Sequence, residues 1–205
     1  MIEINIKKRV KTYAGIDLIE VRASFHVQRI TQITGPSGAG KTTLLRIIAG
    51  LIRPEQGKIT VNENIWLDTS ANINLEPQKR DVGFVFQDYA LFPNMTVTEH
   101  LHYGSDDAQF IDRLIAIGRL DAFRTHKPKH LSGGQQQRLA ILRALATKPK
   151  LLLMDEPFSA LDSVLKKSVM GELKELFEEL KITCLIVTHH PLEAAGFAEH
   201  SFELL

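Results

Sequence analysis

Ile30-Thr31-Gln32-Ile33-Thr34-Gly35-Pro36-Ser37-Gly38-Ala39-Gly40-Lys41-Thr42-Thr43-Leu44-Leu45-Arg46-Ile47-Ile48-Ala49-Gly50 carries three local structures in one run. Ile30 to Thr34 reads as a buried strand, and Thr43 to Ala49 holds apolar residues at helical spacing until Gly50 ends the helix. Between them, Gly35 to Thr42 fits the pattern G-x-x-x-x-G-K-[ST], which has meaning only in this setting of strand, loop and helix. Glycines let such a loop turn its backbone N–H groups toward one anion, and the helix dipole adds attraction for negative charge. Lys41 is placed to reach the β- and γ-phosphates of a nucleotide, and the Thr42 hydroxyl to coordinate Mg²⁺. A merely flexible glycine-rich turn does not require all these positions to agree with both flanking elements. Gly35, Pro36, Ser37, Gly38, Ala39, Gly40, Lys41, Thr42 and Thr43 are therefore the candidate phosphate-binding residues.

Outward from this run, Ile2, Ile4 and Ile6 alternate with polar residues and Leu18 to Val27 partly repeats the habit, so an antiparallel N-terminal sheet is expected. Ile59 to Leu67 reads as a strand pair and Val82 to Phe86 as a buried strand. A mostly helical middle follows from Val97 to Ala146, with helical spacing over Ala108 to Ile117 and again over Gly134 to Ala146. Strands return at Leu151 to Met154 and Thr183 to Val187, separated by a charged amphipathic helix over Val164 to Leu180, and a last helix is expected after Pro191. Strands alternating with helices imply a parallel core sheet and an α/β fold. Residues 1 to 205 are expected to form a single domain with a helical subdomain over about 95 to 148, and with no C-terminal regulatory domain.

Composition excludes several classes. Lys plus Arg (25) nearly cancels Asp plus Glu (24), which lacks the basic excess of a nucleic-acid footprint. The single cysteine, Cys184, lies in an apolar run and reads as core packing in a reducing compartment. No apolar stretch approaches the roughly 20 residues that span a bilayer, and the start lacks a signal-peptide apolar block, so a cytoplasmic location is expected.

Leu151 to Met154 ends in Asp155 and Glu156, at the carboxyl edge of the sheet where open α/β folds bind ligands. Asp155 is placed to hold Mg²⁺, and Glu156, one step on, to polarise an attacking water as general base. Alone, an acidic pair after a strand is more often a solvated strand end or a helix cap. A phosphate loop upstream reverses that weighting.

Leu131-Ser132-Gly133-Gly134-Gln135-Gln136-Gln137-Arg138 is the most diagnostic stretch, although Ser132 is also a natural helix N-cap. Here the chain resembles the ATP-binding-cassette (ABC) ATPases, and the likeness runs over essentially its whole length. In that family the LSGGQ motif opens a helix and binds the γ-phosphate of ATP held by a second subunit. The resemblance therefore implies that Ser132, Gly133, Gly134 and Gln135 act on the ATP of a second ABC ATPase subunit, a homodimer being the expected arrangement. It also implies that Gln87 touches Mg²⁺ and the water, that Asp162 lines the dimer interface and that His189 holds the γ-phosphate. His189 is followed by His190 where many relatives have an acidic residue, and Val187-Thr188 favours His189 as the facing imidazole. Tyr13 is a candidate for stacking on adenine, and an exposed tyrosine on a hairpin is the equal alternative.

Leu75-Glu76-Pro77-Gln78-Lys79-Arg80-Asp81 and the following run to Pro93 resemble importer ATPases for molybdate, sulfate, ferric iron and polyamines, molybdate above all. That likeness implies ATP and Mg²⁺ as cofactors, transmembrane permease subunits with a substrate-binding protein as partners, and a peripheral position on the inner face of the membrane. Tyr89, Phe92 and Pro93 would form the groove for the permease, or else pack the helical subdomain. An exporter ATPase subunit is the first rival. A soluble ABC ATPase acting on DNA or ribosomes is the second, and the compact stretch from Lys41 to Ser132, the single cassette and the lack of a basic arm argue against it.

Overall fold

The computed structural model describes residues 1–12, 15–188 and 196–204. Two five-stranded sheets organise them. In the first, β1 (Ile2–Thr12) pairs antiparallel with β2 (Gly15–Phe25) and β4 (Gln56–Val61), and β4 continues through β5 (Asn64–Asp68) to β6 (Ile73–Asn74). The alternation of Ile2, Ile4 and Ile6 buries all three on one face. The β4–β5 hairpin closes on Asn62 and Glu63, both at positive φ, the conformation that a two-residue turn between twisted strands requires.

The second sheet is parallel, in the order β10 (His200–Glu203), β3 (Ile30–Thr34), β9 (Thr183–Val187), β8 (Leu151–Asp155), β7 (Val82–Val85). Its inner strands are buried on both faces, as a parallel sheet covered on both sides requires. Leu152, Met154, Cys184 and Ile186 face one core, shared with α2 (Val97–His102), α3 (Ala108–Ile117), α4 (Gly133–Ala146) and α5 (Ser163–Leu180). Leu151, Leu153, Leu185 and Val187 face the other, shared with α1 (Lys41–Ile48) and the antiparallel sheet. Strand periodicity thus divides consecutive leucines between two cores, each fully buried side chain contributing about 1.5–3 kcal/mol. Cys184 is fully buried and its thiol pKa is pushed up by that burial.

α1 begins two residues earlier than its apolar spacing alone suggests, at Lys41, and ends as expected. Gly50 at φ 81° accepts the left-handed position, with its N–H on Ile47 O (3.0 Å) and the Leu51 N–H on Arg46 O (2.9 Å), closing a Schellman motif. The expected helix after Pro191 falls on residues outside those described. β10 was not anticipated: His200-Ser201-Phe202-Glu203 is short and largely exposed, without an apolar alternation to mark it.

Candidate nucleotide-binding and hydrolysis site

The carboxyl ends of the parallel strands meet at one edge of the sheet. Register fixes the row: Ile33 of β3 lies beside Val187 of β9, and Val187 beside Asp155 of β8, while Met154 pairs with Val85 of β7. The phosphate loop leaves β3, Asp155 ends β8, and Gln87 follows β7, so three stretches far apart in sequence reach the same edge.

The loop between β3 and α1 is tightly built. Gly35 has φ 146°, and a Cβ on it would lie 2.2 Å from the carbonyl oxygen of Leu204, the residue after β10. Gly40 caps α1 in the left-handed conformation, where a Cβ would collide with Ile19 of β2 at 2.0 Å. No side chain caps this helix, so its first N–H groups stay directed at the loop interior. Lys41 is buried at 5% exposure, and its ammonium donates to Gly35 O (2.7 Å) and Pro36 O (2.8 Å), curling the loop around itself. Backbone donors, one buried ammonium and the Thr42 hydroxyl in the first turn fit a polyphosphate and its cation. Asp155 is 2% exposed at the strand end and Gln87 is exposed. Mg²⁺ bound with a nucleotide needs only one or two protein oxygens, so Thr42, Asp155 and Gln87 are a sufficient donor set. Among the described residues, no group of three His, Cys, Asp or Glu is gathered for a metal of its own.

Glu156 adopts φ 52°, a left-handed conformation costly for a side-chain-bearing residue by about 1–3 kcal/mol. Its N–H donates to Val187 O (2.9 Å), and Gln87 Nε2 donates to its Oε1 (3.3 Å). The carboxylate is thus turned out of the line of β8 toward the side chain that follows β7. Ser132 N-caps α4 in a capping box: Ser132 Oγ accepts from Gln135 N–H (3.3 Å) and Gln135 Oε1 from Ser132 N–H (2.7 Å). Asp162 N-caps α5, accepting from Leu165 N–H at 3.0 Å. Tyr13 and His189 lie outside the described residues, and no statement about their placement follows.

A profile of the family described as ABC transporter matches residues 18–159. The chain belongs to the ABC transporter family. It is 38% identical over 203 residues to a probable sulfate/thiosulfate import ATP-binding protein from Chlorella vulgaris, covering 95% of this chain and 83% of that one. It is 41% identical over 191 residues to a molybdenum import ATP-binding protein from Mannheimia succiniciproducens, covering 92% of this chain but 53% of that one. The chain thus spans about half the length of its molybdenum-import relatives. Among solved structures it resembles the dimeric, post-hydrolysis state of an ATP-binding cassette bound to ADP and Pi, with a TM-score of 0.83 and 34% identity over 100% of this chain and 94% of that one. The chain is an ABC ATP-binding cassette, and the expected α/β fold with parallel core, antiparallel sheet and helical layer stands.

The cassette also holds working side chains that motif reading passed over. Arg80, 1% exposed, donates to Ile47 O (3.0 Å), Ile48 O (2.8 Å) and Leu75 O (2.8 Å), and its guanidinium lies 5.7 Å from the Trp66 ring centroid. It holds the C-terminal end of α1 while the N-terminal end faces the phosphate loop, and burial lowers its pKa to about 10. Arg143 on α4 donates to the carbonyls of Tyr89 and Ala90, both at positive φ, and stacks 5.2 Å from the Phe92 ring centroid. The alternative role of Phe92 as packing for the helical layer is therefore real: it also contacts Tyr103, which remains 69% exposed. Run together, Lys79-Arg80-Asp81 looks like ordinary surface charge, and only its neighbours in space mark Arg80.

Proposed function

We propose that this chain binds and hydrolyses ATP as one of a pair of identical cassettes, energising import of an inorganic ion such as molybdate through a separate membrane permease. The observation that carries the reading is the single sheet edge on which the phosphate loop, Asp155, Glu156 and Gln87 converge, with Gln87 bonded to the Glu156 carboxylate. Lys41, Thr42 and the loop N–H groups hold the phosphates, Asp155 and Gln87 complete the Mg²⁺ shell, and Glu156 takes a proton from the attacking water. Bound Mg²⁺ supplies charge neutralisation on the phosphate oxygens. His189 and Tyr13 keep their family roles beside the γ-phosphate and the adenine. Import, and an oxyanion as cargo, are supported by the printed functions of the sulfate/thiosulfate and molybdenum relatives. On this reading the transport path belongs to a permease subunit, on whose inner face this one sits, as the import functions of the relatives support. No described helix is long and apolar enough to cross a membrane.

Ser132 opens α4 and Lys41 opens α1, two separate helices. ATP is then sandwiched between the phosphate loop of one subunit and the signature turn of its mate, a contact that exists only while the γ-phosphate is present. Glu156→Gln tests this. It keeps shape and hydrogen bonding but removes the base, so light scattering should show an ATP-dependent dimer while turnover falls by about 10²-fold or more. Parental turnover in that variant would remove Glu156 from its role. A chain that never associates with a co-expressed permease, probed by cysteine cross-linking from Phe92, would count against transport.

A further inference from the structure

α4 does more than present its N-terminus. Gln137, in its second turn, is 1% exposed, and its amide is fully engaged with one short turn of chain after β8. Nε2 donates to Glu156 O (3.0 Å) and to Ser159 Oγ (3.1 Å), and Oε1 accepts from Ala160 N–H (3.0 Å). Ser159 Oγ in turn lies 3.2 Å from Glu156 O. The carbonyl being held is that of Glu156, which follows β8 at φ 52°, a backbone state that persists only where the surroundings over-determine it. The same helix touches the same turn at its start: a Cβ on Gly134 would lie 3.0 Å from Ala160 O, whereas one on Gly133 would meet nothing within 4 Å. One face of the first turn is thus open and the other is seated on the segment 156–161.

We infer that Gln137 is a positioning residue that locks Glu156 to the signature helix, so that the helix serving the partner subunit's ATP also holds the hydrolytic carboxylate of its own site. This rests on the function proposed above. Any shift of α4 when its N-terminus engages a nucleotide is passed through the amide to the Glu156 carbonyl, whose carbon is bonded to the Cα that bears the carboxylate side chain. The phosphate loop is untouched by Gln137, so ATP binding to a single chain does not depend on it.

Three variants of the full chain test this: Gln137→Met, which keeps length and apolar volume; Gln137→Glu, which keeps the acceptor but loses the donor; and Ser159→Ala, which removes one strut. Nucleotide titration should show ATP binding within about two-fold of the parent in all three. Steady-state kcat should fall about tenfold or more in Gln137→Met, since misplacing a reacting group by even an ångström is costly, and about threefold in Ser159→Ala. The Glu variant should regain kcat relative to the Met variant as pH is lowered, because a protonated carboxyl again donates to Glu156 O. Parental kcat in Gln137→Met, a loss of kcat matched by an equal loss of ATP affinity, or parallel pH profiles for the Met and Glu variants would each overturn the inference. Should Gln137→Met fail to fold, the Glu variant's pH profile read against the parent's, with kcat recovering toward the parent as pH is lowered, and Ser159→Ala decide it. A parent protein that binds ATP without hydrolysing it would overturn the functional reading instead, before any variant is made.

Discussion

α1 and α4 each start beside a glycine, Gly40 as the cap of one and Gly133 as the first residue of the other, and their N-termini could hardly be prepared more differently. α1 starts from a left-handed Gly40 with no side-chain cap, and the nearest cation, Lys41, is folded back onto its own loop. Its donors are unsatisfied by the helix and the surrounding loop is shaped as a cradle. α4 starts from a closed capping box between Ser132 and Gln135, has no basic residue in its first turn, and leaves the Gly133 face open. One end has, within a single chain, the uncapped donors and the lysine that an anion site needs. The other is self-contained until something is brought to it, which is what a helix acting on another subunit's nucleotide requires.

The largest break between the two ends should come from Ser132→Arg. A bulky cation on the open face should leave ATP affinity of the isolated chain unchanged while the ATP-dependent dimer disappears and turnover falls by about 10²-fold or more. Intact dimerisation and hydrolysis would show that α4 does not meet nucleotide. Lys41→Ala should do the reverse at the first step, weakening ATP binding to a single chain by about 2 kcal/mol, roughly 30-fold, as a desolvated charge–phosphate contact is lost. Equal affinity by calorimetry would remove Lys41 from the phosphate site.

The difference between the two ends was partly legible before the fold was known. The phosphate loop is a local object: strand, glycines, lysine and helix are contiguous, so Ile30 to Gly50 declared it. Asp155 and Glu156 were legible because an apolar strand ending in acid is also local. Ser132 could be read both as an N-cap and as a phosphate contact, and the cap is what the fold displays. Gln137, Arg80 and Arg143 were illegible for a common reason: each acts on backbone carbonyls brought to it by tertiary packing, and carbonyls carry no sequence signal. β10 was missed because its strand character comes from pairing with β3, not from its own residues.

A smaller effect separates the cap from the contact. Ser132→Ala deletes the capping box without adding bulk, and should lower stability by about 1 kcal/mol in urea unfolding. α1 offers no matching test, since it has no side-chain cap to remove. Should Ser132→Ala cost nothing in stability yet abolish dimerisation, the hydroxyl would be serving only nucleotide.

The least of these effects concerns how the helical layer is tied to the segment after Gln87. His100 on α2 is fully buried; Nδ1 lies 2.7 Å from Thr96 O, which can only accept, so that nitrogen carries the proton. Nε2 accepts from the Phe92 N–H at 2.9 Å, and the ring stacks on Phe92 at 5.6 Å. This pair of bonds admits only the neutral imidazole. Burial pulls the His100 pKa below its ordinary value, and the bond to Thr96 opposes that pull. The charge of Arg143 lowers it further, and Glu99 acts in the opposite sense. The unfolded chain therefore takes up a proton at higher pH than the folded one. The stabilisation is fully present above the ordinary histidine pKa of about 6.5 and is lost as pH falls below it. Thermal unfolding from about pH 7 to about pH 5 should show a midpoint that declines in the parent, while His100→Asn, which cannot titrate, starts lower and loses less. The gap between the two proteins should narrow with acid. A gap that stays constant across that range would mean His100 contributes by packing alone, and that the link between Phe92 and α2 does not depend on its protonation.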